Sequence, residues 1–133
     1  MRFRTLFRFL LILAVSADIA DYAATQVGFE RTSPLFERNP YIRLLMRWVN
    51  PYLASTIIFM ITLALILASY GLLRSHLNKE PYSGSLRDVG AYLWRGNSFG
   101  SKDLLIFTSL TLYIIFTHMH LTGLYSWLRI LRI

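Results

Sequence analysis

Residues 53–73 read LASTIIFMITLALILASYGLL, an apolar stretch that contains no charged residue. The stretch follows Asn50-Pro51, a pair typical of a helix N-cap and first helical position, and it ends before Arg74. About 20 apolar residues are enough for a helix to cross the hydrocarbon core of a bilayer. The stretch therefore predicts a transmembrane helix, and with it an all-α integral membrane protein.

Two other segments are long enough to form spans, at about residues 9–29 and 104–127. The earlier segment begins like a secretory signal peptide, because arginines precede a short apolar run that ends near Ser16-Ala17. Apolar and small residues continue as far as Phe29, which favours an uncleaved span instead. We therefore predict three transmembrane helices.

Two short amphipathic helices are predicted at the membrane interface, at about residues 40–49 and 86–95. The first begins with Asn39-Pro40, and its apolar residues share one face while arginines occupy the other. The second follows residues 85–88, which have the form of a capping box. No separate soluble domain is visible, so residues 1–133 are expected to form a single domain in the cell membrane.

The composition agrees with a membrane protein and excludes several other classes. Of the 133 residues, 55% are hydrophobic and only 16% are charged, which is too apolar for an ordinary soluble domain of this size. The net charge is +7, and arginines that flank the apolar segments are expected to contact lipid headgroups rather than nucleic acid. Cysteine is absent, which excludes thiolate catalysis and cysteine-ligated metal sites.

Asp18 and Asp21 lie near the middle of the first predicted span, where an ionised carboxylate costs about 2.5–3.5 kcal/mol on insertion scales. Thr25 follows at helical spacing, so the three polar side chains share a face that must be packed. One interpretation is that the carboxyls are protonated, or hydrogen-bonded to a neighbouring helix or subunit. A second is a cation, metal or proton site in which Glu37, Glu30 or a histidine completes the pair. In a third, the first helix is shallower and both aspartates are interfacial.

The sequence DIADYAAT over residues 18–25 is followed by FERNP over residues 36–40 and then by the apolar span. This order resembles a family of small prokaryotic integral membrane proteins of unknown function, in which an Asp and a Thr of the first span precede Glu-x-Asn-Pro. The resemblance covers about residues 10–73, and residues 31–34 make the first loop longer than in the family pattern. It implies a shared polar set but no biochemical activity. The members of that set are Asp18 or Asp21, Thr25, Glu37 and Asn39.

The third predicted span carries a stripe of polar side chains at helical spacing, which we expect to face protein rather than lipid. Its members are Thr108, Thr111, His118, Thr122 and Tyr125. His118 and His120 point about 200° apart on a helix, so they cannot readily chelate one ion. We predict that both are structural, and the alternative is a single haem or copper ligand shared with another subunit.

No motif indicates an enzyme, since the sequence has no nucleophile elbow, no phosphate-binding glycine-rich loop and no His-Glu-x-x-His zinc motif. We therefore predict neither catalytic residues nor a cofactor. Three helices can hardly bury two carboxylates and a polar stripe among themselves. The expected function is thus a small accessory or assembly subunit, whose partners are other integral membrane subunits or further copies of the chain. A respiratory oxidase or a membrane monooxygenase is a natural host, and the alternative is an ion- or proton-handling protein that uses Asp18 and Asp21.

Overall fold

The computed structural model describes residues 3–79 and 101–132, and this part of the chain is helical without any strand. It contains α1 (Phe3–Arg31), the short α2 (Pro40–Leu45), α3 (Pro51–Lys79) and α4 (Ser101–Leu131). The three long helices pack together as a bundle, in which α1 contacts both α3 and α4. The predicted all-α class is confirmed, whereas the interfacial helix predicted at 86–95 lies outside the described residues.

Asparagine caps begin α2 and α3. Asn39 Oδ1 accepts hydrogen bonds from the backbone N–H groups of Tyr41 and Ile42, at 3.0 and 3.4 Å. Asn50 Oδ1 accepts a hydrogen bond from the backbone N–H of Leu53 at 2.9 Å. These bonds satisfy amide groups that have no partner within the first turn of a helix. Both Asn-Pro helix starts predicted from the sequence are confirmed.

The predicted helix over residues 40–49 is shorter in the structure. It ends at Leu45, and residues 46–48 form turns. The backbone N–H groups of Arg47 and Trp48 bond to carbonyls three residues earlier, Leu44 and Leu45, so the chain tightens into turns instead of continuing the α-helical pattern.

The interior of the bundle consists of two apolar clusters with a polar layer between them. The first cluster consists of Phe7, Ala14, Ile66 and Tyr113. The second consists of Phe29, Ile42, Ala54 and Trp127. In sequence, Asp18 of α1, Thr62 of α3 and His120 of α4 lie between the two clusters. The order of these residues shows that α1 and α4 run parallel and that α3 runs antiparallel to both.

Within the described ranges, Pro51–Leu72 of α3 is the one segment that is long and apolar enough to cross a membrane by length and composition. The other two predicted spans do form helices, as parts of α1 and α4. The same criterion does not identify either of them as membrane-spanning. The fold therefore shows one candidate span, and not the three that the sequence predicts.

Candidate functional site

One face of α1 supplies the acidic side of the polar layer. Asp18 is 1% exposed, Thr25 is buried, and Asp21 is partly buried between them. Ala14 and Ala17 are also buried on this helix, and their small side chains allow the neighbouring helices to approach closely. The prediction that this face is packed is confirmed. The alternative that both aspartates are interfacial concerns their depth in a membrane and stays a prediction.

His120 of α4 lies between the two carboxylates. Its Nδ1 atom is 3.0 Å from Asp21 Oδ2, and its Nε2 atom is 3.4 Å from Asp18 Oδ1. Nδ1 forms a hydrogen bond with Asp21, whereas the buried Nε2 has no hydrogen-bond partner in the described part of the chain, so its approach to Asp18 is an electrostatic contact. The three side chains form an Asp–His–Asp cluster that joins α1 to α4.

Thr62 of α3 completes the contacts of Asp18. Its hydroxyl lies 3.1 and 3.2 Å from the two carboxylate oxygens of Asp18, within donating distance of either. Two further polar contacts join α1 to α3, since Gln26 donates to Ser55 at 2.8 Å and the hydroxyls of Tyr22 and Thr56 are 3.0 Å apart.

The buried aspartates thus have partners within their own chain. The prediction that these carboxylates need another subunit for their contacts is wrong, because Thr62 and His120 of the same chain lie opposite them.

Two glycines make the close approach of α1 and α4 possible. A Cβ atom at Gly123 would lie 2.5 Å from Asp21 Oδ1, and one at Gly28 would overlap the indole ring of Trp127. Sequence reasoning missed both residues, although an isolated glycine within a long apolar helix is a signal of close packing. The Asp–His–Asp cluster therefore depends on Gly123 having no side chain.

An open pocket of about 360 Å³ adjoins the cluster, between α4 and the segment that leads into α2. Asp21 and His120 reach it from the bundle. The far wall comes from the connecting segment, through Glu37, Arg38 and neighbouring residues. The pocket wall therefore includes two acidic residues, two histidines (His118 and His120) and one arginine.

Glu37 is 5% exposed and belongs to the pocket wall. Its Oε1 atom accepts a hydrogen bond from the backbone N–H of Asn39 at 2.7 Å, while its buried Oε2 atom has no partner at hydrogen-bond geometry in the described part of the chain. The backbone N–H of Arg38 and the side chain of Trp127 are the other donors that act on this carboxyl. Burial raises the pKa of the Glu37 carboxyl above its ordinary value, and the negative charge of Asp21 acts in the same direction. Of the polar set implied by the resemblance, Glu37, Asn39, Thr25 and Asp21 all line this pocket.

The predicted polar stripe of α4 lies mostly outside the packed interior of the described chain, so the expectation that it faces protein stays a prediction about a partner. Thr108, His118, Thr122 and Tyr125 are exposed, and Thr111 is half-buried. The inward face of the helix carries a different set, namely Ser109, Tyr113, Thr117, His120 and Trp127. Both sets recur at helical spacing. The second set turns inward because His120 contacts Asp21 and because Tyr113 and Trp127 are buried.

His118 and His120 do not converge, as predicted, since one is exposed and the other is buried. Among the residues that the structure describes, no three His, Asp or Glu side chains are arranged to hold a metal ion. Asp21 instead hydrogen-bonds to Nδ1 of His120, Asp18 lies 3.4 Å from Nε2 without a hydrogen bond, and Glu37 forms no hydrogen bond with either aspartate. This geometry supports hydrogen bonding and proton exchange better than the metal site built on Asp18, Asp21 and Glu37.

Comparison with family models, with curated proteins and with solved structures finds no match to this chain. The resemblance over residues 10–73 therefore stays a prediction, and the function rests on the geometry described above.

Proposed function

We propose that this chain is a multi-pass protein of the cell membrane, with α1 and α4 as spans beside α3. All three long helices carry large apolar side chains that point away from the bundle. Examples are Phe9, Ile12 and Ile19 on α1, Met60, Leu65 and Leu72 on α3, and Ile114, Ile115 and Leu121 on α4. Contact of this apolar surface with water is unfavourable, whereas contact with lipid chains is not.

The segment between α1 and α3 supports a membrane interface at that end of the bundle. Leu35 and Trp48 are 87% and 82% exposed, and exposed arginines, including Arg43 and Arg47, lie beside them. Tryptophan and arginine are typical of the headgroup region, where the ring meets acyl chains and the guanidinium meets phosphate.

Within that membrane, the chain acts as a small accessory subunit of a larger assembly. The observation that carries this proposal is the side chain of His118, which is exposed and has no hydrogen-bond partner in the described residues. It lies only two positions from His120, at the level of the buried polar layer. A polar side chain at that depth on an outward face favours contact with another protein, because lipid offers no hydrogen bond. The hydroxyl of Thr122 does not need a partner from another chain, since it donates to the backbone carbonyl of His118 at 2.8 Å.

Gentle detergent extraction followed by size-exclusion chromatography and mass spectrometry tests this proposal. The chain should elute far above its own 15.5 kDa, with other membrane polypeptides or further copies of itself. A His118→Leu variant should lose these partners, while Leu112→Ile, at another exposed position of α4, should keep them. Elution of the unaltered chain as a monodisperse monomer would contradict the subunit role.

A second function, proton handling, is supported by the Asp18–His120–Asp21 cluster and the pocket beside it. A proton taken up at one imidazole nitrogen can be matched by release from the other nitrogen, so His120 can pass a proton between the two carboxyls. The pocket would give water access to Asp21.

Proteoliposomes loaded with a pH-sensitive dye test this alternative. Asp18→Asn and Asp21→Asn should each abolish proton flux and leave assembly intact, whereas Glu30→Gln, at an exposed carboxylate, should not change it. Unchanged flux in the two aspartate variants would exclude proton handling.

A further inference from the structure

The open pocket beside Asp21 has the size of a binding site for one small polar group. Its volume of about 360 Å³ falls at the lower end of the range of about 300–1,000 Å³ found for ligand pockets. Its wall includes apolar side chains, among them Phe36, Met119 and Trp127, as well as the polar groups already described. A ligand with both an apolar and a charged part fits such a lining.

The charges of the wall favour a cation with N–H donors. Asp21 and Glu37 both line the pocket, and the buried Glu37 Oε2 atom lacks a hydrogen-bond partner. Leaving a buried carboxylate oxygen without a donor is unfavourable, and a primary ammonium group supplies three donors. A quaternary ammonium group carries the same charge but no N–H, so it cannot satisfy Oε2.

Arg38, at the edge of the same pocket, favours an anionic group. Arg38 follows Glu37 directly in the chain, is exposed and lines the pocket, and its guanidinium is a planar fork of N–H donors that suits a phosphate group. The exposed arginines and Trp48 of the neighbouring segment place the end of this opening near Trp127 at the level of lipid headgroups, whereas His118 and His120 line its deeper end.

We propose that this pocket binds a primary amine joined to a phosphate, as in the headgroup of an aminophospholipid, with the ammonium at Glu37 and Asp21 and the phosphate at Arg38. This inference rests on the proposed membrane location of the chain. It is independent of the subunit role, because a chain without protein partners could still bind the lipid.

Native mass spectrometry of the full chain in detergent tests the proposal, with phosphatidylethanolamine and phosphatidylcholine of identical acyl chains as probes. The chain should retain phosphatidylethanolamine about tenfold more tightly, the factor expected when one charge-assisted hydrogen bond is lost. Equal retention of the two lipids would overturn the proposal. Free phosphoethanolamine is the third probe. If it displaces the lipid at similar concentration, the ligand is a soluble amino-phosphate, and if it does not, the ligand is the lipid.

Variants identify the site. Glu37→Gln should remove the preference for phosphatidylethanolamine, because an amide in place of the carboxylate loses the negative charge that holds the ammonium. Glu30→Gln is the matched control at an exposed carboxylate outside the pocket, and it should keep the preference. Arg38→Gln, at an exposed position, tests the phosphate contact without disturbing the core and should weaken both lipids. A preference that survives Glu37→Gln, or retention that is unchanged in Arg38→Gln, would overturn the assignment of the site.

Discussion

Replacing Gly123 by alanine should break the contact between Asp21 and His120. The new Cβ would lie 2.5 Å from Asp21 Oδ1, 2.8 Å from Oδ2 and 2.9 Å from Cγ, so the carboxylate must move. Its hydrogen bond with His120 Nδ1, now 3.0 Å, is then lost. A hydrogen bond to a charged group contributes about 1.5–3 kcal/mol, and alanine offsets up to about 1 kcal/mol through its higher helix propensity. We expect the free energy of unfolding to fall by about 0.5–2 kcal/mol.

Circular dichroism during unfolding of the detergent-solubilised protein measures this change. Gly71→Ala is the matched control in α3, because a Cβ there meets nothing within 4 Å, and it should not destabilise the protein. The decisive comparison repeats Gly123→Ala in an Asp21→Ala background, where the carboxylate is gone and the alanine should be neutral or stabilising. An equal loss of stability in both backgrounds would show that displacement of the Asp21 carboxylate is not the cause.

Three further predictions concern the end of the bundle near α2. Gly28→Ala should destabilise the protein by about 1–3 kcal/mol, since the buried indole of Trp127 cannot move aside, and unfolding of the variant in detergent measures this. Glu37 binds its proton more tightly in the folded chain, so its stabilising contribution is complete at low pH and is lost as the pH rises above the ordinary value of 4.5 through its raised pKa. Melting temperatures across this range should therefore fall less in Glu37→Gln than in the unaltered protein, and equal slopes would contradict the assignment. Asn39→Ala should lower the free energy of unfolding by about 1 kcal/mol, because α2 loses its N-cap. An unchanged free energy of unfolding would show that the cap contributes little.

Local chemistry explains what could be predicted from the sequence. The starts of α2 and α3 follow from Asn39 and Asn50, because an asparagine side chain followed by proline satisfies the amides of a first helical turn. The packed face of α1 follows from the spacing of Asp18 and Thr25 on a single helix. These features depend on residues close together in the chain.

The candidate site depends on contacts between distant residues, and for that reason sequence reasoning missed most of it. Asp21 determines that His120, rather than His118, turns into the bundle. Asp21 lies 99 residues before His120 and forms a hydrogen bond with it, whereas it forms none with His118. Helical spacing alone gives two equivalent polar faces of α4. Glu37 was identified by its place in a motif, but its burial depends on how the connecting segment folds against α4.

The central feature of the molecule is that His120, and not His118, holds Asp18 and Asp21 within a single chain. A double-mutant cycle on the purified chain tests it most directly, by comparing the stability of Asp21→Asn combined with His120→Gln or with His118→Gln. The account predicts an interaction energy of about 0.5–3 kcal/mol between Asp21 and His120, as found for residues in direct contact, and none between Asp21 and His118. Additive effects of Asp21 and His120, or a coupling of Asp21 to His118, would contradict it.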